Sequence, residues 1–305
     1  MTDDVLSTEY QRDPIWGPMS HPARESIEEG AAPWKDHIYL AFWDPTNEVY
    51  GFFHWNTSPN HPTHKAQVVA VIKGEMINII DPLPAKAELF ATEHLRYDLK
   101  GAITITHPRL SGTLTVTPRF TPVDYTPGET IPPLVPGKPL NHYQQGLGLT
   151  GSVTFDGVEH AVDALGFRTR TWGFRDDSMQ FIEYFSLFAC YEDMDISVMK
   201  FRWPDGKQLA DGGVVANGVN VQATDIRIRR DRAGLPIRLQ VDLADGRTLE
   251  LTREKGEANF WCPIGLPERD GPTFCAHDEV VKWKRADSGT SGHALTEQGI
   301  IRFVA

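Results

Sequence analysis

The stretch GFRTRTWGFRDD, Gly166 to Asp177, sets Arg168, Arg170 and Arg175 around Trp172 and closes on Asp176 and Asp177. On an extended strand alternate side chains share a face. Arg168, Arg170, Trp172 and Phe174 then lie on one side, and Thr169, Thr171, Gly173 and Arg175 on the other. Whichever face turns inward takes an arginine with it, and a buried guanidinium needs a carboxylate because an unpaired charge away from water is very costly. Asp176, Asp177 and Glu183 are the nearby carboxylates. A carboxyl in an apolar pocket has its pKa raised and acts as a general acid, whereas one held by an arginine stays ionised. The pattern has two readings: a salt-bridged strand end, or an acid site in which one aspartate donates a proton and the other pairs with an arginine.

Three further stretches carry chemistry-bearing residues. FFHWNTSPNHPTH (52–64) holds His54, His61 and His64, but their spacing fits no standard metal site and Pro59 and Pro62 mark a turn. There Asn56 and Asn60 are expected to organise the turn, with His54 and Trp55 on opposite faces of the preceding strand. In NHYQQG (141–146), Tyr143 and Gln145 share one face, which either lines a cavity or belongs to an ordinary edge strand. In the C-terminal run, Glu279 and Glu297 lie on two strands around a Gly/Ser-rich turn, either as a close pair or as two outward-facing groups. The chain has no G-x-S-x-G, P-loop, G-x-G-x-x-G or H-E-x-x-H motif, so a hydrolase triad, an NTPase and a nicotinamide dehydrogenase are unsupported. No cofactor and no metal are expected.

The elements that must position these groups read as strands. AQVVAVI (66–72), GAITIT (101–106), GTLTVTP (112–118), DISVMKF (195–201), TDIRIRR (224–230), IRLQVDL (237–243) and TLELT (248–252) mostly alternate apolar with polar residues. Asp156-Gly157, Asp205-Gly206 and Asp245-Gly246 mark hairpin turns between such runs. The segment 84–99 is balanced between one short helix and a strand pair. Six prolines between Pro122 and Pro139 mark a crossing linker. The expected organisation is an N-terminal arm (1–30), a first β domain (31–138) and a second (139–305), all-β and antiparallel with few helices.

Bulk composition narrows the partners. With 41 Asp+Glu against 30 Lys+Arg the net charge is −11, which disfavours nucleic acid and anionic membranes. Cys190, Cys262 and Cys275 are odd in number and widely spaced, poor material for a disulfide framework or a zinc site. No signal-like N-terminus and no run near the ~18–20 apolar residues of a membrane span is present. A reducing, cytoplasmic setting is the expectation, and a homodimer is left open.

In order along the chain, AFWDPTNEVYGFFHWNTSPN, HYQQGLGLTGSVTFDG, LGFRTRTWGFRDD and GHALTEQG resemble the lipocalin-like superfamily around carotenoid 1,2-hydratase and AttH-type proteins, in a bacterial branch of unassigned function. The resemblance implies two lipocalin-like antiparallel barrels side by side. It also implies cofactor-free chemistry on hydrophobic, isoprenoid- or polyketide-like substrates, as in carotenoid and kievitone hydratases, tocopherol cyclase and fungal Diels–Alderases. Arg168, Trp172, Gly173, Arg175 and Asp176 match the central R-D-H-S-W-G-x-R-D pattern. Thr169 and Arg170 stand where that pattern has Asp and His, and Gln144 stands where a glutamate is common. The expected function is an acid-catalysed hydratase or dehydratase, with a cyclase or isomerase and a non-catalytic binder of a hydrophobic ligand as alternatives. Asp176, ahead of Asp177, is the expected proton donor, and Arg170 tunes it. Trp172 faces a developing cation, while Arg168, Arg175, His54, Tyr143, Gln145 and Asn60 hold substrate or water.

Overall fold

The computed structural model describes residues 15–16, 32–61, 64–83, 90–98, 101–176, 180–263, 270–271 and 273–302. The chain folds as two units. The first comprises Met1–Arg119, Pro133–Tyr143 and Leu147–Arg175, and the second Phe120–Pro132, Gln144–Gly146 and Asp176–Ala305. The single boundary expected at 138/139 is thus an interleaved division, because two long strands after the proline-rich segment complete the first sheet. Among the described residues no helix is long and apolar enough to cross a membrane.

The first sheet is built from β1 (Trp34–Asp44), β2 (Val49–Thr57), β3 (Lys65–Ile72), β4 (Glu75–Pro82), β5 (Phe90–Ala91), β6 (Leu95–Tyr97), β7 (Ala102–His107), β8 (Leu110–Pro118), β9 (Val123–Asp124), β10 (Asn141–Phe155) and β11 (Val158–Phe174). Its strand order is β4-β3-β2-β1-β11-β10-β8-β7-β6-β5, with β9 paired to β10. Phe90–Ala91 and Leu95–Tyr97 resolve the ambiguity over 84–99 in favour of a strand pair for the described part. The turn between β10 and β11 places Asp156 and Gly157 at φ 47° and 85°, the left-handed pair that a two-residue hairpin demands and that Asp-Gly accepts.

One face of this sheet gathers the apolar core. Ile38, Leu40 and Phe42 of β1 meet Phe53 and Trp55 of β2, Val68 of β3, Leu147 and Leu149 of β10, and Val162 and Ala164 of β11. The rings of Phe42, Phe53 and Trp55 stack in succession. The opposite face of β1, β2 and the later half of β11 is also buried: every residue of β2 is, as are all of β1 after Trp34 and Gly166–Thr171 of β11. That departs from the alternating wet face expected of an antiparallel sheet.

On the core face the antiparallel register sets Arg170 opposite Ile38, and Trp172 opposite Asp36. The guanidinium of Arg170 reaches back to that carboxylate as a fork, Nε to Oδ1 at 2.9 Å and Nη2 to Oδ2 at 2.8 Å. Its Nη1 donates to the Ile15 carbonyl at 3.0 Å. Both partners are sealed from water, Asp36 at 0% and Arg170 at 2% exposure. The arginine's carboxylate therefore comes from 134 residues upstream, in place of the neighbouring Asp176, Asp177 or Glu183.

The second unit is a closed eight-stranded antiparallel barrel of β12 (Glu183–Cys190), β13 (Asp195–Arg202), β14 (Gln208–Ala216), β15 (Val219–Arg230), β16 (Pro236–Leu243), β17 (Thr248–Pro263), β18 (Thr273–Arg285) and β19 (Ser291–Arg302). Closure leaves no free edge. Leu187, Val198, Val214, Ile226, Val241, Leu251, Val281 and Trp283 fill its interior. The protein is thus all-β and lipocalin-like; the first unit is a long open sheet and only the second is closed.

Removing one partner of the sealed ion pair strands the other charge. Asp36→Ala is expected to lower stability by about 3–5 kcal/mol, read from the urea midpoint. Replacing both groups, Asp36→Leu with Arg170→Met, recovers most of that loss. Equal losses in the single and paired variants would show that the carboxylate does not serve mainly to hold Arg170.

Candidate functional site

β11 presents two chemically different faces, and each collects its own partners within the first unit. On the core face Arg168 donates to the Tyr97 hydroxyl at 2.9 Å and lies 3.8 Å above the Trp16 ring, so Ile15–Trp16 of the expected N-terminal arm are built into this interior. Arg170 is spent on Asp36. Trp172, partly buried, stacks on Tyr143 with ring centroids 5.6 Å apart, and the Arg170 guanidinium sits 5.5 Å from its indole. Arg168, Arg170, Trp172 and Tyr143 are therefore brought together, through aromatic packing and one ion pair.

The opposite face collects imidazoles. His37 of β1 is paired in register with Asn56 and Thr171, and Tyr39 with His54 and Thr169. His37 and His54 meet edge to face at 5.5 Å, and His54 also packs against Tyr39 at 5.9 Å. His142 of β10 places Nδ1 2.7 Å from the Thr171 hydroxyl. Gly173, at φ 142°, adopts a backbone that side-chain-bearing residues rarely take, and Leu140 Cδ1 lies 3.0 Å from where a Cβ would project. Two residues later the Arg175 amide donates to the Pro33 carbonyl at 2.8 Å, and its Nη1 donates to His37 Nε2 at 3.3 Å. A guanidinium cannot accept, so His37 presents a bare Nε2 there and carries its proton on Nδ1.

Lys35, His37, His54, His142 and Arg175 are all buried. Burial holds the His37 imidazole well below its ordinary pKa, with Arg175, His54, His142 and Lys35 adding repulsion. Burial, then Arg175, pushes His142 down to about 3. Both rings are neutral at neutral pH, beside a permanent cation. Such a set can take a proton from carbon and hold the oxyanion that results. Of this cluster only His54 and Arg175 stood out in the sequence. His37 was hidden inside the apolar run of β1, whereas His142 lay in the polar stretch NHYQQG, where the expectation fell on Tyr143 and Gln145 of the other face.

The second unit carries a different polar group on the outside of its barrel. Ser197 Oγ donates to Gln144 Oε1 at 2.5 Å and meets the Tyr125 hydroxyl at 2.9 Å, and Gln144 Nε2 lies 3.2 Å from Met199 Sδ. Thr130 bonds Asp211, and Tyr184 bonds Glu297. Burial lifts the Tyr125 and Tyr184 phenols well above their ordinary range, and Asp211 and Glu297 respectively reinforce this. Both stay protonated donors.

The remaining expected residues are scattered. Gln145 donates to the Phe120 carbonyl at 2.8 Å. Asn60 accepts from the Trp34 amide and donates to the Ala32 carbonyl, both at 2.9 Å, so its side chain organises the entry to β1. Asp176 is half-buried, and its amide donates to Gln180 Oε1 at 2.8 Å. Asp177 lies outside the described residues. Glu279 and Glu297 are not a pair: Glu279 is opposite Thr296 and bonded to Arg253, whereas Glu297 is opposite Asp278.

Comparison with known proteins follows this architecture. The structure is similar to that of an AttH-type protein from Nitrosomonas europaea, at 13% identity and a TM-score of 0.59 over 92% of this chain and 96% of that one. It is similar to CghA solved with Sch210972, at 14% identity and a TM-score of 0.61 over 99% and 97%. Kievitone hydratase from Nectria haematococca matches at 10% identity and a TM-score of 0.55, covering 93% of each chain. At these identities the likeness is one of fold. No curated protein matches the sequence. A family model described as a domain of unknown function, DUF7064, matches residues 19–298, and the chain belongs to that family.

Proposed function

We propose that the protein is a cofactor-independent enzyme that removes or adds water on a hydrophobic substrate carrying a carbonyl next to the reacting carbon. One observation carries this reading: two imidazoles kept neutral by burial, one on Thr171 and one on Arg175, stand together on one face of the sheet. His142, oriented by Thr171, takes the proton α to the carbonyl. The electron pair moves into the carbonyl, and Arg175, steadied by His37, faces the enolate oxygen. When the enolate collapses, the β-hydroxyl leaves with the proton returned by His142, and water is released; hydration is the reverse. Proton transfer thus passes from Asp176, which is half-buried, to His142. Thr169, at the position where related sequences carry aspartate, lies beside Tyr39 on the same face and supplies no carboxylate. The fold shared with a kievitone hydratase and with CghA supports both this chemistry and ring closure on the same scaffold.

The test incubates the protein with isoprenoid and polyketide enones and β-hydroxyketones and follows the gain or loss of one water by mass. His142→Gln is expected to lower turnover by about 100- to 10,000-fold, and Arg175→Met by about 100- to 1,000-fold. Turnover lost in Asp176→Asn and kept in His142→Gln would return the reaction to carboxylic-acid catalysis. Turnover insensitive to all three would favour a pocket that only shapes the substrate for cyclisation.

The imidazole must be neutral to act, and its folded pKa is about 3. The rate therefore shows no acid limb near the ordinary histidine value of about 6.5. Stability behaves differently. Below about 6.5 the unfolded chain binds a proton that the folded chain refuses, so stability falls as pH drops from there towards about 3. The urea midpoint measured against pH should show this slope, and His142→Gln should reduce it, leaving the part that His37 contributes in the same direction.

A further inference from the structure

The closed barrel carries a second site that the proposed chemistry does not use. Its strands end together at one rim: the start of β12, the end of β13, the start of β14, and the ends of β15 and β19. A cavity of about 590 Å³ opens there, with Glu183, Phe185, Lys200, Ile226, Ile228, Arg230, Gln298 and Ile300 among its walls. That volume falls in the range of small-molecule sites. The floor is apolar, since Phe185 and Ile226 belong to the barrel core and Ile228 packs against it. Ile300, 42% exposed, stands at the rim as an apolar side chain facing water.

The rim is cationic in a protein of net charge −11. Four of its cations differ in how they are satisfied. Lys200 is held by Asp225 at 2.9 Å, and Arg227 is gripped in a fork by Asp242 at 2.6 and 2.9 Å. Arg202 lies 3.8 Å from Glu183. Arg230 alone of the four bonds only neutral acceptors among the described residues, the carbonyl of Gly234 at 2.7 Å and the side-chain oxygen of Gln298. Its guanidinium stands 6.0 Å from the Phe185 ring. Burial lowers its pKa, and Glu183 only partly opposes this. A cation above an apolar floor, bonded to neutral groups and not to a carboxylate, is arranged to take an anion whose remainder is hydrocarbon.

We infer that the mouth of the second unit's barrel binds a single amphipathic organic carboxylate, with its headgroup on Arg230 and its hydrocarbon chain over Phe185, Ile226, Ile228 and Ile300. Lys200 and Arg202 stand in the same wall, each matched by a carboxylate, which leaves Arg230 as the cation for the headgroup. The site is independent of the imidazole cluster and does not rest on the reaction proposed for it.

The test is calorimetric titration of the full chain with decanoate, kept below micelle-forming concentrations, against decanol and acetate as controls. Decanoate is expected to bind saturably at one per chain. Decanol, with the same tail and no charge, and acetate, with the charge and no tail, should each bind at least tenfold more weakly. Arg230→Gln should weaken decanoate by about 10- to 100-fold and leave decanol unchanged. Ile300→Glu, at an exposed position where folding is not at stake, should weaken decanoate selectively by setting a carboxylate at the rim. No saturable decanoate binding, equal affinity for decanol, or full decanoate affinity in either folded variant would overturn the assignment. Water addition or loss on an enone is read separately, so neither result stands in for the other.

Discussion

A strand buried on both faces must satisfy every polar group it carries without help from water, and the stretch Gly166–Thr171 of β11 carries them on both faces. That constraint organises the first unit. Backbone hydrogen bonds consume the strand's N–H and C=O groups, so Arg168, Arg170, Thr169 and Thr171 must find side-chain or distant carbonyl partners. On the core face the solution is charge against charge. A buried guanidinium needs a partner of opposite charge, and Asp36 on the adjoining strand supplies a carboxylate of matching geometry to Arg170. The pair contributes little net stability against an apolar alternative of the same shape. It does fix register: a one-residue slip of β1 along β11 would turn Asp36 to the far face and strand the guanidinium.

On the opposite face the same constraint is met by giving up charge. Imidazoles, unlike guanidinium groups, can shed a proton, and burial against Arg175 drives them to do so. One strand thus separates a permanently ionised pair from a set of neutral bases about a backbone's thickness away. Gly173 matters because it lies within β11, opposite Lys35, at a φ of 142° that a side chain would strain; two residues on, alternation places Arg175 on the face of His37. With an alanine in its place the strained backbone would disturb the approach of Arg175 to His37.

The strands, their antiparallel order and the Asp-Gly hairpins were legible in the sequence because they are local: alternation and left-handed turn residues act over a few positions. So was the opposition of His54 to Trp55 across β2, which follows from strand geometry alone. What could not be read were pairings across long separations. Asp36 looks like a surface residue in WKDHIYL until β1 is known to lie beside β11. Asp176 and Asp177 looked like natural partners because they were near in sequence. NHYQQG, with His142, stays open between a cavity wall and an edge strand, since nothing local shows that β10 continues into a buried sheet. The interleaved division into two units was hidden for the same reason: the prolines mark a crossing but not the chain's return.

The two units show how closure changes where a polar site can form. A closed barrel has no edge and fills its middle with side chains, so an inward-facing charge is either paired, as Glu279 of β18 is with Arg253 of β17, or admitted towards the ends of the strands. Along the inward face of β15 the sequence runs Ile226, Ile228, Arg230, apolar in the core and cationic at the rim. On β13 it runs Ile196, Val198, Lys200. An open sheet has no such restriction. Its strands can carry polar groups mid-length if each face offers partners, which is how Asp36, His37 and Thr171 come to sit well inside their strands. The imidazole cluster is therefore a property of the open sheet, and a mouth with a greasy floor and a charged rim is a property of the closed one. Two kinds of site follow from one strand-forming pattern, separated by whether the sheet meets itself.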